Sequence, residues 1–220
     1  MQTINTIGDI EEATAALVAT DRRLGAIAEI TGLPPLRRSA DGFAGMCSII
    51  VSQQVSRASA DAIFARFNDL LGAITPQALD RHDDAALAGV GLSRPKIRTL
   101  RSVSAAVGDG TLDFARLRRL DDEGVTAELT TVKGIGPWTA DVYLLSYLGR
   151  PDAFPAGDLA LQEAARVGLE LENRPSAAQL TDHAEPWRPW RAVAARLLWS
   201  YYRVIKRDET GVDREQGGAT

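Results

Sequence analysis

Residues 133–142 read KGIGPWTADV, with two glycines around one isoleucine, then a proline and a tryptophan. Glycine adopts positive φ without steric cost, and proline is favoured at the first position of an α-helix. The stretch therefore predicts a tight turn that leads into a helix, with Gly136 as its N-cap. The N–H groups at the start of a helix carry partial positive charge, so this turn can bind a phosphate. A plain connection between two packed helices is the other interpretation of the same residues.

The period of an α-helix dominates the rest of the chain. Apolar residues at helical spacing predict one N-terminal helix over residues 10–27, closed by Gly32 and the prolines after it. No segment alternates over the length of a strand, so the predicted fold class is all-α. Further helices are predicted over residues 42–52, 57–71, 94–108, 122–131, 138–148, 159–169 and 190–205.

The length of 220 residues suffices for one sizeable domain or for two small lobes that share a core. We predict a single helical domain over residues 1–207. Residues 208–220 lack apolar periodicity and are predicted to form a disordered tail.

The composition excludes several kinds of protein. The single cysteine, Cys47, rules out an internal disulfide, a four-cysteine zinc site and a cysteine-ligated iron–sulfur cluster. It lies in an apolar run and is predicted to be a small buried hydrophobe. No apolar run approaches the ~20 residues of a membrane span, and no secretory signal is visible, so a cytoplasmic protein without membrane contact is expected.

The net charge of −4 argues against a protein that coats nucleic acid through bulk electrostatics. The charge is unevenly spread, because residues 94–119 contain seven basic and two acidic residues. Lys96, Arg98 and Arg101 in this stretch are candidates for phosphate contacts. A solvated helix face explains the same residues equally well.

A second motif follows the helix predicted over residues 138–148. Residues 152–165 read DAFPAGDLALQEAA, where Pro155 and Gly157 predict a turn and Asp158 stands at the N-cap position of the next helix. Aspartate is among the preferred N-caps, so capping alone explains its presence. The loop can also return the carboxylate to the preceding helix, which is roughly three turns long.

Together these motifs resemble the HhH-GPD superfamily of DNA glycosylases, named for a helix-hairpin-helix, a Gly/Pro-rich loop and an aspartate. The branch that they resemble most is bacterial 3-methyladenine DNA glycosylase II, in a compact form without the N-terminal α+β domain of larger relatives. The resemblance implies the helix-hairpin-helix glycosylase fold, with two helical lobes and the active-site cleft between them. Further matching stretches are SQQVS at residues 52–56, GLSRPK at 91–96, WRPWR at 187–191 and WSY at 199–201.

The resemblance implies a monofunctional glycosylase of base excision repair, which removes alkylated purines such as 3-methyladenine and 7-methylguanine and leaves an abasic site. Such an enzyme flips the damaged base out of the duplex. Asp158 takes the place of the catalytic carboxylate, which stabilises an oxocarbenium-like sugar and orients or deprotonates water. Lyase branches carry a lysine at the position of Trp138, and tryptophan cannot form their Schiff base.

The resemblance also assigns binding residues. Trp138, Trp190 and Gln53 belong to the base pocket, where an indole face attracts an electron-poor alkylated purine. Gln54 is the wedge that fills the gap in the duplex, although this branch often has an apolar residue there. Core packing is the alternative for Trp190, and an ordinary polar loop is the alternative for the two glutamines. The residues assigned to the DNA backbone are Gly134, Ile135, Gly136 and Thr139.

Trp187 and Trp199 are assigned to the core.

In this family the hairpin commonly holds a monovalent cation, Na⁺ or K⁺, and the corresponding main-chain carbonyls belong to Thr130, Val132 and Ile135. No cofactor is required, and an iron–sulfur cluster is not expected because it needs four cysteines.

The implied partner is double-stranded DNA that contains alkylated bases, and the protein is expected to act as a monomer. Two other functions are compatible with the residues. One is a non-catalytic helix-hairpin-helix DNA-binding module, and the other is an all-α scaffold whose glycine turns are purely structural.

Overall fold

A computed structural model describes residues 3–36 and 42–210 of the chain. All regular structure among these residues is helical, which confirms the predicted all-α class. None of the described helices combines the length and the hydropathy that a membrane span needs. The helices are α1 (Ile7–Thr20), α2 (Arg22–Thr31), α3 (Phe43–Ser52), α4 (Arg57–Leu71), α5 (Pro76–Asp80), α6 (Asp84–Gly89), α7 (Arg94–Gly108), α8 (Phe114–Leu117), α9 (Asp122–Thr130), α10 (Pro137–Tyr143), α11 (Leu159–Gly168), α12 (Ala177–Ala184) and α13 (Arg191–Thr210), with a π-helical segment at Leu144–Leu148 and a 3₁₀ turn at Glu185–Trp187.

The described residues divide into two compact units. The central unit comprises residues 42–148 and contains α3 to α10. The terminal unit comprises residues 3–36 and 149–210 and contains α1, α2 and α11 to α13. The N-terminal segment joins the second half of the chain directly, because the N–H of Ile4 donates to the carbonyl of Gly149 at 2.8 Å.

Helix α3 forms the centre of the central unit because its sequence is apolar on nearly every side. Met46, Cys47, Ile50 and Val51 are fully buried, and the helix packs against α4, α7 and α10. Burial raises the pKa of the Cys47 thiol far above its usual range. The predicted role of Cys47 as a buried hydrophobe is confirmed.

The terminal unit is built around α13, which packs against α1, α2 and α11. Small residues let these helices approach closely. A Cβ on Gly168, at the end of α11, would lie 2.6 Å from Cδ1 of Ile27 on α2. A larger residue at position 168 would therefore require the side chain of Ile27 to move.

The prediction of one N-terminal helix is wrong, because two helices, α1 and α2, meet at Asp21. This residue has an extended backbone, donates its N–H to the carbonyl of Leu17 at 2.8 Å and accepts the N–H of Arg23 on Oδ1 at 3.0 Å. Asp21 therefore ends α1 and caps α2. The apolar period does not reveal this break, because Leu17 and Leu24 on either side of it are buried in the same core.

We expect the protonation of Asp21 to cost stability in acid. Side-chain hydrogen bonds from Arg23 and then Trp187 hold the pKa of Asp21 at about 2, below its ordinary 3.8. A carboxyl whose pKa is lowered by folding stabilises the protein above its ordinary pKa, and this contribution disappears as the pH falls through the folded-state value. After allowance for solvent screening at the half-exposed Arg23, Asp21→Asn should lower the free energy of unfolding near pH 6 by about 1–2 kcal/mol.

Urea unfolding of wild type and variant near neutral pH and in acid measures this effect, and the difference between them should shrink in acid. The control is Asp113→Asn, which changes an N-cap aspartate that accepts the N–H of Ala115 at 2.8 Å. Parallel pH dependences for wild type and Asp21→Asn would contradict the prediction.

The helix predicted over residues 138–148 begins as expected but changes its form. Pro137 starts α10, and after Tyr143 the chain continues as a π-helical segment to Leu148. Tyr143 is fully buried, and its ring stacks on Tyr147 at a centroid distance of 5.5 Å. The apolar sequence predicts the burial correctly, but it carries no signal for the wider helical turn.

Four helices in the described residues have no counterpart in the predictions, namely α5, α6, α8 and α12. Each is too short for an apolar period to stand out, although side-chain caps mark their starts. Helix α13 runs to Thr210, five residues beyond the helix end predicted at 205, and the domain boundary at 207 stays a prediction. Residues 211–220 of the predicted tail lie outside the described residues.

Candidate active site

The glycine turn joins α9 to α10 in the central unit. The N–H of Ile135 donates to the carbonyl of Val132 at 3.0 Å, and Gly134 between them has a φ of +96°. The side chain of Ile135 is buried and ties the turn to the core. The two helices and the turn form the hairpin that the sequence predicts.

The two glycines of the turn meet different requirements. A Cβ on Gly134 would lie 2.2 Å from Oγ1 of Thr99 on α7, so close packing as well as positive φ requires glycine there. Gly136 has an ordinary φ of −108°, and a Cβ on it would meet no described atom within 4 Å beyond its chain neighbours. The first glycine therefore fits the turn against α7, and the second leaves the backbone at the start of α10 open.

The start of α10 has the features of an anion site. Gly136 is the N-cap, yet no side chain caps the helix. Among residues 3–36 and 42–210, the N–H groups of Gly134 and Gly136 donate no backbone hydrogen bond. The adjacent Lys133 is exposed. Backbone N–H groups in this arrangement favour a phosphate.

A hydrogen bond links the hairpin to the loop between α3 and α4. Nε2 of Gln53 donates to Oγ1 of Thr139 at 3.1 Å, and Thr139 is 2% exposed. We call this bond the Gln53–Thr139 clasp. It gives both side chains a partner inside the central unit. The predicted contacts of Gln53 with a base and of Thr139 with the DNA backbone stay predictions.

The tip of the same loop is exposed. Gln54 has a φ of +54°, which is uncommon for a residue other than glycine, and both Gln54 and Val55 are exposed. Ser56 then caps α4 by accepting the N–H of Ser59 at 3.2 Å, as predicted. The loop therefore presents an amide and a small apolar side chain next to each other.

Lys96 lies beneath this loop rather than on the surface, so its assignment to a surface or phosphate contact is wrong. It is 9% exposed, and its Nζ donates to the carbonyl of Val51 at 2.7 Å. Burial lowers the pKa of the Lys96 ammonium. Its positive charge stands at the C-terminal end of α3, where it complements the helix dipole and anchors the start of the loop.

Arg101 also has internal partners. Its guanidinium donates to the carbonyl of Leu79 at 2.9 Å and forms an ion pair with Asp84 at 3.1 Å, so it ties α7 to the chain around α5 and α6. A structural role replaces the phosphate contact considered for it. Arg98 is exposed and stays a candidate for such a contact.

Trp138 is the second residue of α10, one position before Thr139 of the clasp. Its side chain is half-buried, so part of the indole is accessible in the central unit. The backbone of Trp138 therefore lies in the first turn of α10.

Asp158 lies in the terminal unit at the start of α11. Its Oδ1 accepts the N–H of Ala160 at 2.9 Å and the N–H of Leu161 at 3.0 Å, so the predicted N-cap is confirmed. The preceding turn is closed by the N–H of Asp158 itself, which donates to the carbonyl of Pro155 at 2.9 Å. The carboxylate is half-buried at the positive end of a helix.

A further side chain reaches this carboxylate. Nε1 of Trp199, on α13, lies 3.3 Å from Oδ1 of Asp158. The sequence assigns Trp199 to the core, and the ring is in fact half-buried with its polar edge on the carboxylate. No local pattern links two residues that lie 41 positions apart.

Trp190 belongs to a segment that is fastened to the loop leading to Asp158. The guanidinium of Arg191 binds both oxygens of Asp152, at 2.7 and 2.9 Å, and the N–H of Ala192 donates to the carbonyl of Pro151 at 2.9 Å. Trp190 itself is half-buried. This bidentate ion pair joins the chain segments that carry Trp190 and Asp158.

Trp187 is 1% exposed and packs edge-on against Phe154 at a ring-centroid distance of 6.0 Å, so its assignment to the core is confirmed. Its Nε1 donates to Oδ2 of Asp21 at 3.1 Å.

Within the described residues, no group of three His, Cys, Asp or Glu side chains is placed to hold a metal ion.

A protein-family model matches residues 47–189, and its description is HhH-GPD superfamily base excision DNA repair protein. The matched residues include the hairpin, the loop between α3 and α4, and Asp158.

Individual relatives agree with this match. The chain is 32% identical over 154 residues to DNA-3-methyladenine glycosylase 1 of Schizosaccharomyces pombe, covering 68% of each protein. A solved structure of the S. pombe 3-methyladenine DNA glycosylase in complex with abasic DNA has a TM-score of 0.80 at 29% identity, over 86% of this chain and 95% of that one. The DNA-3-methyladenine glycosidase of Bacillus halodurans has a TM-score of 0.74 at 32% identity, over 94% of both chains. Other curated relatives are longer, since this chain spans 64% of one from Bacillus subtilis and 39% of one from Mycobacterium tuberculosis.

Proposed function

Since the chain belongs to the HhH-GPD superfamily of base excision DNA repair proteins, we propose that it is a monofunctional DNA glycosylase for alkylated purines. It hydrolyses the N-glycosidic bond of bases such as 3-methyladenine and 7-methylguanine and leaves an abasic site. Relatives from S. pombe and B. halodurans are named for 3-methyladenine, which supports the substrate class. The structure of the S. pombe enzyme in complex with abasic DNA supports the product.

The observation that carries the proposal is the position of Asp158. Its carboxylate stands half-buried at the N-terminus of α11, where three N–H donors hold Oδ1. As the base leaves, positive charge develops on the sugar, and a fixed carboxylate stabilises that charge without reorganisation. The same carboxylate orients or deprotonates the water that attacks the sugar.

Trp138 supports the assignment to hydrolysis without strand cleavage. Tryptophan has no amine with which to form a Schiff base, so the sugar is not attacked by the protein. An alkylated purine carries positive charge, and the indole face of Trp138 attracts it by stacking and cation–π interaction. Trp190 supplies a second aromatic surface in the same proposal, and Gln53 completes the base pocket.

Binding of the DNA falls to the hairpin and the loop. The backbone N–H groups around Gly134 to Gly136 hold a phosphate, and Gln54 at the exposed loop tip enters the gap that the flipped base leaves. A monovalent cation at the carbonyls of Thr130, Val132 and Ile135 belongs to the same proposal, because neutral backbone oxygens suit Na⁺ or K⁺. It would add positive charge next to the phosphate. We further propose that the protein works as a monomer in the compartment that holds the DNA.

Base release from a defined duplex tests the proposal. A duplex with one 7-methylguanine or 3-methyladenine is incubated with the protein, and released base and strand breaks are measured separately. We expect release of the alkylated base, with strand cleavage only after alkali or heat, and no release from an unmodified duplex. No covalent adduct should form with borohydride.

Each other outcome identifies a different function. Binding without release of any base would favour a non-catalytic helix-hairpin-helix module. Strand cleavage by the protein itself, with an adduct trapped by borohydride, would overturn the assignment to simple hydrolysis.

A further inference from the structure

Two tryptophans of the terminal unit donate an indole hydrogen bond to an N-cap aspartate. Nε1 of Trp187 lies 3.1 Å from Oδ2 of Asp21, and Nε1 of Trp199 lies 3.3 Å from Oδ1 of Asp158. Both bonds join residues that are far apart in the chain. The two pairs differ in how the donors are shared between the carboxylate oxygens.

At Asp21 the two kinds of donor use different oxygens, because the N–H of Arg23 binds Oδ1 and the indole of Trp187 binds Oδ2. At Asp158 the N–H groups of Ala160 and Leu161 and the indole of Trp199 all converge on Oδ1. Capping a helix requires only the backbone donors. The indole therefore adds a constraint to Asp158 that capping does not need.

The added donor comes from a rigid element. Trp199 lies in the middle of α13, which packs against α11 along the terminal unit. Its neighbours Leu197 and Leu198 are fully buried, so the backbone that carries the indole is fixed in the core. A donor held in this way limits rotation of the Asp158 carboxylate about its Cβ–Cγ bond.

From this geometry we propose that Trp199 is a positioning residue, whose indole N–H sets the orientation of the Asp158 carboxylate for the reaction. The inference rests on the proposed function, in which Asp158 is the catalytic group. Transition-state stabilisation by a charged group depends on its being held in place before the reaction, so loss of the indole N–H lowers the rate of base release. The hydrogen bond involves none of the residues proposed to hold the DNA backbone or to act as the wedge, so DNA affinity is expected to stay unchanged.

The kinetic test compares Trp199→Phe with Trp187→Phe. Each variant keeps an aromatic ring and removes one indole hydrogen bond to an aspartate, but only the first acts on Asp158. We expect Trp199→Phe to lower the single-turnover rate of base release about 10-fold, as expected for a hydrogen bond to a charged group, with the Kd for the substrate duplex unchanged within about two-fold. Trp187→Phe should keep the rate within about two-fold.

A spectroscopic test does not depend on activity. With ¹⁵N-labelled protein, the indole N–H signals of Trp199 and Trp187 are identified by their absence in the two phenylalanine variants. In Asp158→Asn, the Trp199 signal should move, because its acceptor loses its charge, while the Trp187 signal should stay in place.

The outcomes separate the two proposals. If the wild type released no base, the proposed function would fail, whereas the indole signals would still report on the hydrogen bond. Equal rate losses in both tryptophan variants, or a loss confined to DNA affinity, would indicate general packing and overturn the positioning role. An unmoved Trp199 signal in Asp158→Asn would overturn it as well.

Discussion

Asp158→Asn is expected to lower the single-turnover rate of base release by about 10³-fold, the effect of removing a preorganised charge from a developing ionic centre. Asparagine has nearly the same shape and is an equally good N-cap, so α11 should keep its start and the protein its stability. On the proposed function, the exchange removes the negative charge that stabilises the sugar as the base departs. The measurement is base release from a 7-methylguanine duplex with protein in excess.

The matched control is Asp83→Asn, which makes the same exchange at the N-cap of α6, where the carboxylate accepts the N–H of Ala86 at 2.8 Å. This variant should release the base at the wild-type rate. Affinity of Asp158→Asn for the substrate duplex should stay within a few-fold of wild type. If Asp158→Asn released the base as fast as wild type, Asp158 would be a helix cap and nothing more.

Gly134→Ala is expected to be the most destabilising single exchange in the hairpin. Alanine at positive φ costs about 1–2 kcal/mol, and overpacking against a neighbouring side chain costs about 1–3 kcal/mol more. The added Cβ would lie 2.2 Å from Oγ1 of Thr99, so either the turn or the Thr99 side chain on α7 must shift. Urea unfolding should therefore show a loss of about 2–5 kcal/mol in the free energy of unfolding.

Two further variants separate the backbone cost from the steric cost. Gly136→Ala introduces the same methyl group at an ordinary φ and in open space, so the free energy of unfolding should change by less than about 1 kcal/mol. Adding Thr99→Ala to Gly134→Ala removes the clashing atoms and should recover about 1–2 kcal/mol relative to the sum of the single exchanges. Equal stability of the two glycine variants would contradict the close packing of the turn on α7.

Features with a local cause can be predicted from the sequence. Gly136 and Pro137 mark the start of α10, Ser56 marks the start of α4, and Asp158 marks the start of α11, because caps and turns depend on neighbouring residues. The apolar period gives the all-α class and the burial of α3. The turn of the hairpin is predictable for the same reason, since positive φ favours glycine whatever lies beyond it.

Features that depend on distant partners cannot be predicted in this way. Lys96 and Arg98 are both basic residues of the same helix and look alike in the sequence. The Lys96 ammonium is nevertheless buried and donates to a carbonyl 45 residues away, whereas the Arg98 side chain is exposed. Trp199 has the apolar character of a core residue, and only the packing of α13 brings its indole to Asp158. The break at Asp21 is hidden because both helices bury their apolar residues in one core.

The Gln53–Thr139 clasp has a consequence for how a damaged base is found among many undamaged base pairs. The clasp holds Gln53 before DNA binds, so less free energy is spent on ordering this loop when it touches the duplex. On the proposed function, the barrier to inserting Gln54 is then set mainly by the DNA, through the stacking and pairing of the base pair that must open. Base pairs weakened by alkylation open most easily. The ease of opening therefore distinguishes damaged from undamaged base pairs before any base contacts a tryptophan of the pocket.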